Sequence, residues 1–100
     1  MKSAKIAILD RARADLVEGH WFYEGQQPGL GARFLENIYA DIESLRNFAG
    51  IHREVHRNHH RLLAKRFPYA IYYKLADQTA SITAIVDCRR NPGTIAEKLR

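Results

Sequence analysis

The sequence predicts an α+β fold, in which a helical hairpin packs on one face of a mainly antiparallel, four-stranded sheet. Residues 30–49 carry apolar side chains at helical spacing, and residues 69–88 alternate with a period of two. The helical segments precede three successive strand segments, which is typical of segregated helices and strands. The full predicted order is β-α-α-β-β-β-α, with an N-terminal strand and a short C-terminal helix, in a single domain over residues 1–100.

A short strand and a helix are predicted at the N-terminus. Residues 3–9 alternate in a mildly β-like manner, and Asp10 follows as the expected N-cap of a helix over residues 11–25. This helix has a broad apolar stripe that we expect to face the core. The members of the stripe are Ala12, Leu16 and Tyr23, with Trp21 and Phe22 nearby.

A tight turn separates this helix from a second one. Residues 28–31 read Pro-Gly-Leu-Gly, in which glycine permits a positive φ and proline fixes the local geometry. The second helix is predicted over residues 30–48, because five apolar residues recur on one helical face and Gly50 stands where a C-cap glycine belongs. The five are Phe34, Ile38, Ile42, Leu45 and Ala49. Because the connection is short, the two helices should be antiparallel.

Three strands are predicted after a polar, basic link over residues 51–59. They cover residues 60–67, 69–75 and 80–88, and a hairpin turn is expected at residues 77–79. The last strand is expected to alternate without interruption along its length. Pro92 then opens the C-terminal helix, at a position where its missing N–H does no harm.

The middle strand carries three tyrosines. Tyr69, Ile71 and Tyr73 share one face, and we expect Tyr73 to belong to the core. Tyr72 lies on the other face and is expected to be exposed, where it can stack on a base of single-stranded RNA.

The composition is that of a soluble domain with a basic surface. Hydrophobic residues make up 46% and charged residues 27% of the chain, and the net charge is +5. The single cysteine, Cys88, excludes an intrachain disulfide and fits a reducing cytoplasm. No apolar run approaches the roughly 18 residues of a membrane span, and the N-terminus lacks the pattern of a signal peptide. We therefore expect a cytoplasmic protein that does not bind a membrane.

The positive charge is concentrated in one stretch. Residues 10–50 hold seven acidic and four basic residues, whereas residues 51–66 hold five arginines and lysines against Glu54 alone. This concentration suggests an acidic partner, either a nucleic acid or an acidic protein segment; the alternative is a solvated basic surface. The candidate partner-binding residues are Arg57, Arg61, Lys65, Arg66, Tyr72, Arg89 and Arg90.

Some of these residues suit a phosphate. Arg89 and Arg90 lie at the predicted end of the last strand, where a guanidinium can pair bidentately with a phosphate and stabilise charge that develops on it. Arg61 and Lys65 are four residues apart on one predicted strand, so they should share a face and contact a phosphodiester backbone. The alternatives are a surface pair at a strand end and an edge strand protected by charge.

No cofactor, metal or small-molecule substrate is predicted. His56, His59 and His60 lie close together in sequence, but no cysteine or carboxylate cluster completes a first shell of metal ligands. We expect these histidines to lie in a solvated loop and at a strand start, with proton transfer as the alternative role. The sequence has no P-loop, nucleophile elbow or dinucleotide-binding fingerprint.

In their order and spacing, several segments resemble the RelE/ParE superfamily of toxins from bacterial type II toxin–antitoxin modules, which includes plasmid stabilisation proteins. The segments are Asp15-Leu16, Tyr23-Glu24, Pro28 to Phe34, Arg66 to Tyr73 and Arg89 to Pro92. The resemblance covers residues 12–92. It implies a small basic toxin that arrests growth and is neutralised by a co-expressed antitoxin, which wraps a helix and a strand around it.

The resemblance implies two possible activities. RelE-type members cut mRNA in the ribosomal A site, and ParE-type members are associated with inhibition of DNA gyrase. Arg90 matches the late-strand arginine of the nucleases, and Arg61 matches a basic position on an earlier strand. If the chain is a ribosome-dependent mRNA endoribonuclease, its catalytic residues are therefore Arg90, Arg61 and Lys65.

Three positions depart from the nuclease pattern. Ala70 stands where the nucleases have an arginine, Asp87 where many relatives have a histidine, and Ala96 near the place of a C-terminal tyrosine. These departures favour a ParE-like toxin that inhibits gyrase. A RelE-like nuclease is the first alternative, and a non-toxic basic binding domain is the second.

Overall fold

A computed structural model of the chain describes residues 4–89 and Leu99. Within these residues, two long helices pack on a five-stranded mixed sheet, which confirms the α+β class and the helical hairpin. The elements are β1 (Lys5–Ile8), α1 (Asp10–Glu24), α2 (Leu30–Glu43), α3 (Leu45–Phe48), β2 (Glu54–His56), β3 (His59–Leu63), β4 (Tyr69–Ala76) and β5 (Thr79–Asp87). The predicted C-terminal helix and Arg90 lie outside the described residues, apart from Leu99.

The sheet has one strand more than the sequence predicted. Its order is β1-β5-β4-β3-β2, with β1 parallel to β5 and the other neighbours antiparallel. The additional strand, β2, lies in the segment that was expected to be a link. The prediction failed because the turn between β2 and β3 uses Arg57 and Asn58 at φ of 46° and 66°. Asparagine tolerates this left-handed conformation, but an arginine is not a residue from which such a turn is predicted.

Most of the apolar side chains that the helical periodicity predicted are buried. Phe34, Ile38, Ile42 and Leu45 are fully buried, and the predicted α1 residues Ala12, Leu16 and Tyr23 are buried. Trp21 and Phe22 were expected to extend the α1 stripe, but they are 65% and 47% exposed. At about 100° per residue, positions 21 and 22 point away from the face that Tyr23 shares with Gly19.

The residues that cap the helices are only partly those that the sequence predicted. Asp10 is the first residue of α1 rather than its N-cap; Leu9 holds that position, with no side-chain hydrogen bond. Glu24 instead caps α2, because its carboxylate accepts hydrogen bonds from the Gly29 and Gly31 N–H groups at 3.0–3.1 Å. These bonds lower the pKa of Glu24. Gly50 adopts a φ of +95°, as expected for a residue that ends a helical segment.

A bulge in β5 changes the face on which its side chains lie. Tyr72 pairs with Ala84 but Tyr73 pairs with Ile82, so Thr83 is an extra residue whose hydroxyl donates to the Tyr72 carbonyl at 3.2 Å. Ile82 and Ile85 consequently both pack against the helices, while Ala84 lies on the opposite face. The expected uninterrupted alternation is therefore wrong from residue 84 onward.

The face of the sheet away from the helices, here called the outer face, has an apolar cluster of its own. Its buried members are Ala70, Tyr72, Ala84, Val86 and Leu99, and Val55 packs against them. Tyr72 is only 3% exposed, so the expectation of an exposed tyrosine is wrong. Tyr73 lies in the helix-side core and is fully buried, as predicted.

Candidate functional site

Five basic residues of the second half lie close together, on the β2–β3 hairpin and the residues that flank it. We call residues 53–66 the basic segment; Arg53, Arg57, Arg61, Lys65 and Arg66 are all exposed in it. Arg57 is at the tip of the hairpin, and Arg61 pairs with Tyr72 across the strands, which places it on the outer face. The segment therefore presents a cationic edge beside the apolar cluster of the outer face.

Arg61 and Lys65 do not share a strand face, contrary to the prediction. β3 ends at Leu63, because the chain turns there toward β4. Lys65 and Arg66 lie in the connecting loop. The Lys65 N–H donates to the carboxylate of Asp41 at 3.2 Å, which fixes the loop to α2.

Two buried carboxylates support this arrangement, and sequence reasoning assigned neither a structural role. Asp41 is 6% exposed and holds the loop of Lys65. Asp15 is 7% exposed and accepts a hydrogen bond from the Ile85 N–H at 2.9 Å. Asp15 thereby provides a hydrogen-bond acceptor for a backbone N–H at the edge of β5, at a point where the shorter β1 has already ended at Ile8. The sequence signal that could have revealed a buried carboxylate was an acidic residue next to an apolar stripe position, as at Asp41-Ile42.

Arg89 is held by an ion pair. Its Nε and Nη2 atoms donate to the Asp87 carboxylate at 2.9 and 2.6 Å, and the Arg89 N–H also donates to it at 2.9 Å. The guanidinium carbon lies 5.8 Å from the centre of the Phe22 ring, within cation–π distance. The hydrogen bonds and charge of Asp87 raise the pKa of Arg89. The Nε–Nη2 edge of the guanidinium, one of its two bidentate edges, is thus already occupied by a carboxylate.

A cavity of about 160 Å³ next to this pair is acidic. It lies between α1 and the end of β5. Its lining residues are Asp15, Glu18, Gly19, Phe22, Tyr69, Ile85 and Asp87. Three carboxylates in one small cavity disfavour a phosphate or another anionic ligand.

One of the three clustered histidines, His59, is more buried than the sequence predicted. His59 is only 2% exposed, and its Nδ1 donates to the His56 carbonyl at 3.0 Å, so the expectation of a solvated site is wrong for His59. Burial lowers the pKa of His59, since the charged imidazole would lose its hydration. Among residues 4–89 and Leu99, no group of three or more His, Cys, Asp or Glu residues is arranged to hold a metal ion.

The outside of the helical hairpin has an apolar groove of about 420 Å³. Exposed aromatic and aliphatic side chains flank it, with Trp21 at 65%, Val17 at 57% and Tyr39 at 43% exposure. An exposed apolar surface with aromatic residues is typical of a protein–protein contact.

In the part of the chain that the structure describes, no helix is both long and apolar enough to cross a membrane.

Comparison with solved structures identifies the fold. One match is a chain of the "Chromosomal ParDE TA system from P. aeruginosa", with a TM-score of 0.78 and 17% identity, over 85% of this chain and 96% of that chain. Another comes from the RelBE2 toxin–antitoxin complex of Mycobacterium tuberculosis, with a TM-score of 0.55 and 20% identity, over 87% and 93% of the two chains. The chain therefore has a RelE/ParE-like fold. No protein-family model matches the sequence, and no curated protein is a significant match.

The ion pair of Arg89 leads to a testable expectation. Asp87→Asn removes the carboxylate that occupies the guanidinium, so Arg89 becomes available to an anion. We expect the variant to bind a single-stranded RNA oligonucleotide about 3- to 10-fold more tightly at low salt, with a log–log salt slope steeper by about 0.7 for one added phosphate contact. Asp77→Asn is the matched control, because it makes the same change in net charge at the distant β4–β5 turn. Equal affinity gains in both variants would contradict the role of the ion pair.

Proposed function

We propose that this protein is the toxin of a bacterial type II toxin–antitoxin module, that it arrests growth by inhibiting DNA gyrase through protein contact, and that a cognate antitoxin neutralises it. The observation that carries the proposal is the fold likeness to a chain of a ParDE system, which extends over 96% of that chain. The segments that resemble this superfamily in sequence and lie within residues 4–89 belong to the same framework of helical hairpin and sheet.

The described side chains favour gyrase over the ribosome. A nuclease needs positive groups that can reach a scissile phosphate. Arg89 is paired with Asp87, Ala70 provides no charge on the middle strand, and Tyr72 is buried in the outer-face cluster. Exposed apolar residues on the helical hairpin, in contrast, suit a protein target.

The antitoxin is proposed to carry an acidic and partly apolar segment that binds the basic segment and the outer face. The cationic side chains attract the acidic part, and Leu63, which is 57% exposed on β3, provides apolar contact area. β2 is the last strand in the sheet order, so its outer edge can accept an added strand.

Induced expression of the chain alone is expected to arrest bacterial growth and to reduce colony formation by about two orders of magnitude or more, and co-expression of the cognate antitoxin should restore growth. Because the proposed target is gyrase, a reporter plasmid should lose negative supercoils before mRNA is degraded. Both are measured in one time course, by gel electrophoresis with an intercalating dye and by primer extension. Normal growth in the presence of soluble, folded protein would contradict the proposal and favour the non-toxic binding domain.

The alternative is a RelE-like, ribosome-dependent mRNA endoribonuclease, and exposed Arg61 on the outer face is the observation in its favour. Arg90, which lies outside the described residues, and Lys65 complete this proposed set. Removal of one transition-state contact commonly costs about 10²–10³ in rate. Cleavage of mRNA on programmed ribosomes, lost in Arg90→Ala, would establish the nuclease; toxicity without any cleavage would exclude it.

A further inference from the structure

A cluster of hydrogen bonds fixes the start of the basic segment to the sheet. His52 lies in the link between α3 and β2, and its Nδ1 is 2.8 Å from the hydroxyl oxygen of Tyr73 on β4. The same hydroxyl accepts a hydrogen bond from the Gly50 N–H at 3.4 Å. The Nδ1 of His60, on β3, donates to the His52 carbonyl at 2.8 Å. The ring of His60 also stacks on Tyr73, with ring centres 5.2 Å apart.

The donors and acceptors assign the protons in this cluster. The Tyr73 oxygen accepts from Gly50, and the Nδ1 of His52 lies within reach of the Tyr73 hydroxyl hydrogen. The Nδ1 of neutral His52 is therefore an acceptor, and its proton resides on Nε2. Tyr73 is fully buried, so this is the acceptor that keeps its hydroxyl hydrogen paired.

We propose that His52 is a pH-sensitive latch, which holds the basic segment on the sheet when its Nδ1 is unprotonated and releases the segment when Nδ1 takes up a proton. A protonated Nδ1 can no longer accept from Tyr73. The hydroxyl hydrogen then has no acceptor in a buried position, which costs about 1–3 kcal/mol. The link can avoid this cost by moving away, and the β2–β3 hairpin that follows it loses its attachment.

On balance, the surroundings of His52 disfavour its protonation. From β3, His60 faces it, and Glu54 lies beside His60 in the strand register; Arg53 follows His52 in the chain, and Tyr73 is the titratable group on β4. Burial, and then the charge of His60, lower the pKa of His52 below its ordinary value of 6.5. The latched state is therefore fully stable above about pH 6.5 and loses stability as the pH falls through the lowered pKa.

Amide hydrogen exchange of the protein alone, followed by NMR between pH 7.5 and 5.0, tests the latch. The informative amides are those of Gly50 and of Arg61, whose N–H donates to the Arg53 carbonyl. Their protection factors should fall by up to about tenfold per pH unit below pH 6.5, because release is linked to uptake of one proton. Amides between β4 and β5 serve as the internal reference and should change less.

Two substitutions separate His52 from the other buried histidine. His52→Gln removes the titrating group and should abolish the pH dependence at Gly50 and Arg61. His59→Gln is the matched control and should retain it, because the His59 side chain bonds to the backbone of the β2–β3 turn and not to Tyr73. Tyr73→Phe provides a second route, since loss of the hydroxyl should leave the two amides weakly protected at every pH. A pH dependence that persists in His52→Gln, or constant protection in the unmodified protein, would overturn the latch. No outcome depends on toxicity or on an antitoxin.

Discussion

Reversal of two charges in the basic segment, Arg57→Glu with Arg61→Glu, is expected to slow association with the cognate antitoxin by about 10- to 100-fold at low salt. Both side chains are exposed, and neither forms an ion pair within residues 4–89 and Leu99. The pair of substitutions changes the net charge of the cationic edge by −4, which removes the attraction that accelerates encounter with an acidic segment. Stability should change little, because neither side chain is part of a core cluster.

The measurement is a stopped-flow association rate at several salt concentrations. For the unmodified protein the rate should fall steeply with salt, and for the double variant the dependence should be flat, so that the two rates converge near 1 M salt, where the screening length is about 3 Å. Lys5→Glu with Arg33→Glu is the matched control, with the same change in net charge on β1 and α2. An equal loss of rate in the control would show that net charge alone matters, and an unchanged rate in the double variant would exclude the basic segment as the binding surface.

The predictable parts of this fold were those that depend on local periodicity. Three features could be recognised because each is determined by residues that are close in sequence. They are the α2 stripe, the hairpin turn, and the face shared by Tyr69, Ile71 and Tyr73. Asp77 and Gln78 adopt φ of 51° and 61°, as that turn requires. The extra strand β2 escaped prediction because three residues carry too little pattern, and its turn contains Arg57 in a conformation that arginine rarely adopts.

The candidate site was harder to predict, because it depends on contacts between residues that are distant in sequence. The exposure of Arg57, Arg61 and Arg66 follows from their charge and was expected. The capping of β5 by Asp15 joins residues 70 positions apart, and no local pattern indicates it. The bulge at Thr83 depends on how β4 and β5 pair. The pairing of Arg89 with Asp87 could be predicted, since they are two residues apart at a strand end, and a surface pair there was the alternative to phosphate binding.

The largest effect on stability is expected where α1 crosses α2. A Cβ added at Gly31 would lie 2.7 Å from the backbone carbonyl oxygen of His20, and one added at Gly19 would lie 2.6 Å from the ring of Phe34. The Phe34 ring is fully buried, and a backbone carbonyl cannot rotate away. The helices therefore have to separate to accept a methyl group at either position.

Gly31→Ala is consequently expected to lower the free energy of unfolding by about 1–3 kcal/mol, although alanine is by itself the better helix former by about 1 kcal/mol. For a chain of this length the melting temperature should fall by roughly 10 °C, as measured by circular dichroism. Gly25→Ala is the matched control, because Gly25 has a φ of −67° at the end of α1 and the added Cβ lies 3.3 Å from its nearest neighbour, the Trp21 carbonyl oxygen. That substitution should change the free energy of unfolding by less than about 1 kcal/mol, because the contact is much less close than the one at Gly31. If both variants melt together with the unmodified protein, the helices are not in close contact at Gly31, and the groove formed by Trp21 and Tyr39 is not fixed by this crossing.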